Sequence, residues 1–113
     1  MHTLYGIPNC DTVKKARAWL DRHGIAHDFH DYKKQGIDAA TLKRWCAEFG
    51  FERVLNQKGS TWRSLDDAQR ADITQAKAIK LMQEYPSVIK RPLLDTGKRR
   101  LLGFSEADYK TLL

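Results

Sequence analysis

The sequence contains little cysteine and no long apolar run. Its two cysteines, Cys10 and Cys46, cannot build a disulfide framework, and neither lies in a Cys-x-x-Cys pair or a Cys/His cluster with zinc-like spacing. The longest stretch without a charged residue or histidine is eight residues, from Thr3 to Cys10, whereas a membrane-spanning helix needs about 20 apolar residues. The N-terminus also lacks the apolar region of a signal peptide. These absences disfavour metal binding, a membrane partner and secretion, and they predict a cytoplasmic protein.

The composition is typical of a globular protein. The chain has 113 residues, which fits one domain spanning 1–113. With 42% hydrophobic and 30% charged residues, it has the apolar content for one core and differs from a disordered tail. The formal net charge of +6 favours anionic small molecules or acidic partners. Aromatic residues are not interleaved with the basic ones, so direct nucleic-acid binding is disfavoured.

Hydrophobic periodicity and turn residues predict the order of the elements. They indicate a strand over 2–5, a helix ending at Gly24, a strand over 26–32, a helix from about 38 to 50, a helix that Pro86 stops, strands over 92–95 and 100–102, and a final helix capped by Ser105. A βαβ unit at the front and a ββα unit at the back are typical of an α/β thioredoxin-like fold with a mixed four-stranded sheet. The stretch at about 33–85 is too long for their connection, so it is predicted to be a helical insertion, in which Gly59 and Ser60 favour a loop.

Cys10 is the residue most suited to chemistry. It follows the first strand and lies at the start of the first helix, where free backbone N–H groups and the helix dipole favour a thiolate. Lys14 and Lys15 in the next turn add positive potential. The alternative is a small buried hydrophobe, but a loop with Pro8, Asn9 and Asp11 is a poor place to bury one. The position therefore predicts a nucleophilic or redox cysteine.

The pair Arg91-Pro92 is the second candidate feature. Cis peptide bonds are essentially confined to proline, and thioredoxin folds place a cis-proline beside the active cysteine at the start of the third strand. Pro92 falls at that point of the predicted order. If the bond is cis, Arg91 lies close to Cys10 and can stabilise a thiolate or bind an anionic substrate. The alternative is an ordinary surface arginine before a turn proline.

Two other readings of the sequence are disfavoured. Cys46 shares the apolar face of its predicted helix with Leu42 and Phe49, which predicts core packing instead of chemistry. Phosphatase-type loops need Cys-x5-Arg to surround an oxyanion, but the sixth residue after Cys10 is Ala16, and Arg17 comes one residue too late.

Three segments carry a family resemblance. The chain resembles the arsenate reductase (ArsC)-like family, and most of all its Spx/YffB branch with the YffB-type proteins, in segments 5–16 (YGIPNCDTVKKA), 90–92 (KRP) and 103–106 (GFSE). The resemblance covers essentially the whole chain. It implies a thioredoxin-like fold with a helical insertion, a catalytic Cys10, and Arg91 before a cis-proline. It also implies glutathione as reductant or co-substrate, with no bound cofactor.

The predicted site has Cys10 and Arg91 as its catalytic residues. Asn9, Lys14, Arg91 and Pro92 are predicted to bind the substrate, and no residue is predicted to bind a metal. The predicted function is a glutathione-dependent thiol reductase that forms a mixed disulfide on one cysteine. Its partners are then glutathione, and glutaredoxin or an oxidised-thiol substrate.

Two alternatives remain open within the family. Arsenate reductases that use glutathione or glutaredoxin carry three arginines around the cysteine, and of these only Arg91 is present, with Asn56 and Gly103 at the other two positions. The histidine and serine that flank the cysteine in those enzymes are Gly6 and Val13 here. Spx regulators bind the RNA polymerase α subunit and typically use a Cys-x-x-Cys switch, whose second cysteine is also replaced by Val13. Both alternatives thus lack residues that the resemblance would supply.

Overall fold

The computed structural model describes residues 2–113, which divide into two compact units. The first comprises residues 2–35 and 91–113, and the second comprises residues 36–90. In chain order the elements are β1 (His2–Gly6), α1 (Asp11–Arg22), β2 (His27–Asp31), α2 (Tyr32–Gln35), α3 (Ala39–Phe49), α4 (Phe51–Val54), α5 (Ser60–Ser64), α6 (Asp67–Arg70), α7 (Gln75–Glu84), a 3-10 helix (Pro86–Val88), β3 (Leu93–Asp95), β4 (Arg100–Leu102) and α8 (Glu106–Lys110).

The first unit is built on a mixed sheet. Its described strands lie in the order β2-β1-β3-β4, with β1 parallel to β2 and antiparallel to β3, and β3 antiparallel to β4. The parallel pair joined through α1 is the predicted βαβ unit, and β3, β4 and α8 are the predicted ββα unit. The thioredoxin-like fold class with a mixed four-stranded sheet is thereby confirmed.

The apolar stripe of α1 forms the core of this unit. The stripe positions recur every three to four residues, so they share one face of the helix and pack against the sheet. The fully buried members of this core are Leu4, Val13, Ala16, Trp19, Leu20, Leu94 and Tyr109. Cys10 and Phe104 are partly buried against the same cluster. The helix ends near Gly24, as predicted, with His23 as its C-terminal cap.

The second unit contains the helices α3 to α7. Asp38 begins α3 by accepting a hydrogen bond from the Thr41 backbone N–H at 2.7 Å, and the apolar face of α3 is buried at Leu42, Trp45 and Cys46. The core position predicted for Cys46 is therefore confirmed. The helix before Pro86 is α7, with Ala78, Ile79, Leu81 and Met82 buried.

One detail of the predicted insertion needs correction. The stretch around Gly59 and Ser60 was expected to be a loop, but Ser60–Ser64 forms α5, with Gly59 as its extended N-cap. The second unit covers residues 36–90, and the helical insertion at about 33–85 stays a prediction. The Asp31 carboxylate accepts the Lys33 backbone N–H at 2.9 Å, and Gln35 Oε1 accepts the Asp31 N–H at 3.0 Å. These bonds attach α2 to the end of β2. That residues 1–113 form a single thioredoxin-like domain stays a prediction.

The last helix, α8, begins with a serine cap. Ser105 Oγ accepts a hydrogen bond from the Asp108 backbone N–H at 3.1 Å, and Phe104 packs edge-on against Tyr109 with ring centroids 4.7 Å apart. This confirms the cap predicted at Ser105, and the Phe104–Tyr109 contact adds apolar packing across the first turn. Within residues 2–113, no helix is long and apolar enough to cross a membrane.

Removal of the Ser105 cap is expected to destabilise the protein. Ser105→Ala leaves the Asp108 N–H without its side-chain acceptor, so the free energy of unfolding should fall by about 1 kcal/mol. Urea denaturation followed by circular dichroism measures the change. Ser105→Asp, which keeps a capping oxygen, is the matched control and should stay near the wild-type value. Equal stability of the alanine and aspartate variants would contradict the role given to this cap.

Candidate active site

Cys10 lies in the connection between β1 and α1. β1 ends at Gly6 and α1 begins at Asp11, so Cys10 is the N-cap of α1, with an extended backbone (φ −141°, ψ 124°). Its carbonyl accepts the Lys14 N–H at 2.9 Å, the first bond of the helix. The side chain is partly exposed. A partly exposed thiol at a helix N-terminus combines access for a substrate with stabilisation of negative charge.

The surroundings of Cys10 lower the pKa of its thiol. Partial burial raises the pKa, but the backbone N–H of Val13, the hydrogen bond and positive charge of Arg91, and the backbone N–H of Thr12 together outweigh that effect. Within the described residues, the Cys10 side chain makes no capping hydrogen bond to α1. These groups therefore act mainly on the charged form of the side chain, the thiolate. Lys14 was expected to contribute, yet it is exposed and is not among the groups that shift this pKa.

Arg91 reaches Cys10 because of the strand register. Leu93, the first residue of β3, pairs with Tyr5 near the end of β1, so the residues before β3 lie where β1 runs into the Cys10 loop. The peptide bond between Arg91 and Pro92 is cis, as predicted. Pro92 is buried, and its carbonyl accepts the Gly103 N–H at 2.8 Å. The sheet therefore brings together two predicted site residues that are 81 positions apart in the sequence.

Tyr32 is a neighbour of this site that the sequence did not indicate. Its side chain is fully buried, and its ring stacks on Tyr5 with centroids 6.3 Å apart. Burial raises the pKa of Tyr32 far above its usual value; Tyr5 adds to the rise, and the charge of Arg91 opposes it. Arg91 therefore acts electrostatically on both Cys10 and a neutral buried phenol. Tyr32 was predicted to be the last residue of a strand, and that position alone gives no sign that the charge of Arg91 acts on it.

The other predicted substrate-binding residues flank Cys10, whereas Arg100, a basic residue of β4, lies elsewhere in the first unit. Asn9 and Lys14 are exposed on either side of Cys10, as expected of residues that meet a substrate. Arg100 lies opposite Asp95, which itself pairs with Thr3 at the beginning of β1, so Arg100 is at the other end of the sheet from Cys10. Among residues 2–113, no group of three or more His, Cys, Asp or Glu side chains is placed to hold a metal ion.

Comparison with known proteins assigns the family. The sequence profile of the ArsC family matches residues 5–112. The chain belongs to the ArsC family. It is 57% identical to the solved structure of a YFFB protein, with a TM-score of 0.95, over 98% of this chain and 97% of that chain. The solved structure of an arsenate reductase (ArsC) related protein from Brucella melitensis is 46% identical, with a TM-score of 0.77, over 97% of this chain and 92% of that chain.

The regulators of the same branch are also similar. Global transcriptional regulator Spx of Streptococcus mutans is 28% identical over 115 residues, which covers all of this chain and 83% of Spx. The predicted placement in the Spx/YffB branch of the ArsC family is confirmed.

Gly103 lies close to Arg91 in this ArsC-family protein. It stands at a position where the resemblance to arsenate reductases implies an arginine, and its N–H donates to the carbonyl of Pro92 at 2.8 Å. Its φ of +80° is in the left-handed region that favours glycine. The backbone conformation here thus suits a residue without a side chain, and position 103 supplies no cation for an oxyanion.

The two cysteines are expected to alkylate in different pH ranges. The thiolate is the reactive form. Because the pKa of Cys10 is lowered, the pH at which its iodoacetamide rate is half-maximal should lie below that of a free thiol, which is about 8.5. Burial and the charge of Glu52 raise the pKa of Cys46, so its rate should rise only at higher pH. Peptide mass spectrometry measures each site separately, with a small cysteine peptide as reference. A Cys10 profile that coincides with the reference would refute the lowered pKa.

Proposed function

We propose that this ArsC-family protein is a glutathione-dependent thiol reductase that acts through Cys10. The observation that carries the proposal is that the strand register brings Arg91 to a partly exposed cysteine at a helix N-terminus, where its hydrogen bond and positive charge favour the thiolate and lower the pKa of the thiol. An abundant thiolate at neutral pH is what thiol–disulfide exchange requires. Family membership and a relative described as related to arsenate reductase support a thiol-based reductase.

The proposed reaction has two exchange steps. The Cys10 thiolate attacks the glutathione sulfur of a mixed disulfide R–S–S–G, so that an S–S bond forms on Cys10 and R–S⁻ leaves. Glutathione thiolate then attacks the sulfur of glutathione held on Cys10, which releases oxidised glutathione and restores the Cys10 thiolate. The two steps sum to R–S–S–G + GSH → R–SH + GSSG: the incoming glutathione thiol is oxidised to the disulfide and gives up its proton, and the R sulfur leaves with the S–S bonding pair and takes up a proton. No second protein cysteine takes part in either step.

Arg91 and its neighbours have separate roles in this proposal. The guanidinium of Arg91 stabilises the thiolate, both as attacking group and as the group that leaves in the second step, and its planar fork suits a glutathione carboxylate. Asn9 and Lys14 are exposed and flank Cys10 along the chain, and we assign them to substrate binding together with Pro92. Glutaredoxin in place of free glutathione would use the same Cys10 intermediate. A cytoplasmic location, where thiols are kept reduced, suits this chemistry and stays a prediction.

A regulator that binds the RNA polymerase α subunit is the second candidate. The similarity to Spx of Streptococcus mutans over the whole chain favours it. Against it, the position of the second cysteine of a Cys-x-x-Cys switch holds Val13, which is fully buried in the core. Arsenate reduction is the third candidate function. It has less support from the residues present, because Arg91 is the single one present of the three arginines that the resemblance implies.

One set of assays separates these functions. The purified protein is incubated with glutathione and a glutathionylated peptide, and oxidised glutathione is measured; catalytic turnover is the expected result. The same preparation is given arsenate with glutathione and glutaredoxin, and is mixed with purified RNA polymerase α subunit. Little arsenate turnover and no stable complex are expected. Absence of mixed-disulfide turnover together with a stable α-subunit complex would replace the reductase proposal with the regulator, and fast arsenate turnover would replace it with arsenate reduction.

A further inference from the structure

Gly6 and Val13 are in unusually close contact beside the candidate site. Gly6 is buried at the end of β1, and Val13 is fully buried in the first turn of α1. A Cβ atom built on Gly6 would lie 2.8 Å from Cγ2 and 3.4 Å from Cγ1 of Val13. The φ of Gly6 is outside the left-handed region, so its backbone accommodates other residues. Glycine is needed here only because the valine methyl groups occupy the space.

This contact spans the segment that carries Cys10. Gly6 and Val13 are the two ends of residues 6–13, and Cys10 lies between them. Val13 is the third residue of α1, the position whose backbone N–H an N-cap side chain usually engages. Its N–H is also one of the groups that favour the Cys10 thiolate. The side chain of Val13 thus faces β1 while its backbone N–H serves the sulfur.

The valine side chain has little freedom to give way. A β-branched residue in a helix has one strongly preferred χ1 rotamer. The core around Val13 also contains Ala16, Leu4 and Leu94, which are fully buried. A side chain added at Gly6 would therefore displace the first turn of α1 from β1, and with it the N–H groups near Cys10.

We infer that the buried contact between Val13 and Gly6 fixes the first turn of α1 against the end of β1, and that Val13 is thereby a positioning residue for the Cys10 thiolate. The inference rests on the proposed function only for the importance of that thiolate. It assigns a role to the valine at the position where the family resemblance implies a serine or a second cysteine.

Gly6→Ala tests the inference, with the pH of half-maximal Cys10 alkylation as readout. Loss of one hydrogen bond to a charged group should raise this midpoint by about one pH unit. In Gly6→Ala/Val13→Ala the two Cβ atoms are 3.7 Å apart, an ordinary contact, so the midpoint should return most of the way to the wild-type value. Val54→Ala truncates a fully buried valine of the second unit and is the matched control: lower stability with an unchanged midpoint is expected.

Val13→Ala alone keeps the inference testable if Gly6→Ala does not fold. It removes the contact without a clash, so the midpoint should rise, and adding Gly6→Ala to it should lower the midpoint again. A wild-type midpoint in Val13→Ala, or a double variant that stays as shifted as the worse single variant, would overturn the inference. Alkylation needs neither glutathione nor a disulfide. A low midpoint without turnover would therefore refute only the proposed reductase, whereas turnover with identical midpoints in all variants would refute only the positioning role.

Discussion

Cys10→Ser is expected to abolish reduction of a glutathione mixed disulfide. Serine is close to cysteine in size and is a favoured N-cap residue, so it should keep the start of α1. Its hydroxyl is a weak nucleophile that stays protonated at neutral pH, and it cannot form the disulfide that the second step resolves. The rate of glutathione oxidation with a glutathionylated peptide should fall to that measured without protein.

Cys46→Ala is the matched control for this experiment. Cys46 is buried on α3 and its pKa is raised, so it should take no part in exchange. The alanine variant should therefore turn over substrate at close to the wild-type rate, with at most a modest loss of stability from the small cavity. Circular dichroism and urea denaturation of both variants check that they are folded. Residual catalysis by a folded Cys10→Ser, or loss of catalysis in a folded Cys46→Ala, would show that the nucleophile was wrongly assigned.

The parts of the candidate site that could be predicted from the sequence are those whose positions follow from local structure and from the order of the elements. Cys10 was found because a strand, a short loop and an amphipathic helix follow each other within about 20 residues at the start of the chain. Arg91 was found through Pro92, since the position of a cis-proline depends on the order of the elements and not on the contacts of its side chain. Periodicity and turn residues are local signals, and they report such positions well.

The parts that were missed depend on tertiary contacts. The charge of Arg91 acts on Tyr32 because the pairing of β3 with β1 places Arg91 near the end of β1, and the identity of a residue at a strand end does not reveal this. The close approach of Gly6 to Val13 is likewise not indicated by the sequence, where each residue is ordinary for its own element. Both depend on how separate elements pack against each other.

The short helices of the second unit illustrate a different limit. Helices α4 and α6 have four residues each and α5 has five, which is little more than one turn. A hydrophobic stripe needs at least two turns to show its period, so the segment gave no helical signal. Capping residues are the better guide there: Asp66 and Gln69 form a reciprocal capping box at the start of α6, with bonds of 2.8 and 2.9 Å.

Arg91→Ala is expected to slow mixed-disulfide reduction by about one to two orders of magnitude. The guanidinium hydrogen-bonds the Cys10 sulfur and adds a favourable charge, and a hydrogen bond to a charged group contributes roughly 1.5–3 kcal/mol. Its loss should also raise the pKa of Cys10, so the pH of half-maximal alkylation should move upward in the same variant. Arg99→Ala is the matched control, because Arg99 belongs to the turn at the other end of the sheet and donates to Thr111 Oγ1.

Arg91→Lys divides the role of charge from that of geometry. A lysine restores a positive charge near the sulfur, so the alkylation midpoint should return part of the way toward the wild-type value. An ammonium cannot form the planar two-point contact with a carboxylate, so the Michaelis constant for glutathione should stay raised. A lysine variant that recovers both quantities would mean that Arg91 acts as a point charge on the thiolate alone. An Arg91→Ala variant as active as the wild type, with an unchanged midpoint, would remove Arg91 from the site and leave the helix N-terminus as the source of the Cys10 thiolate.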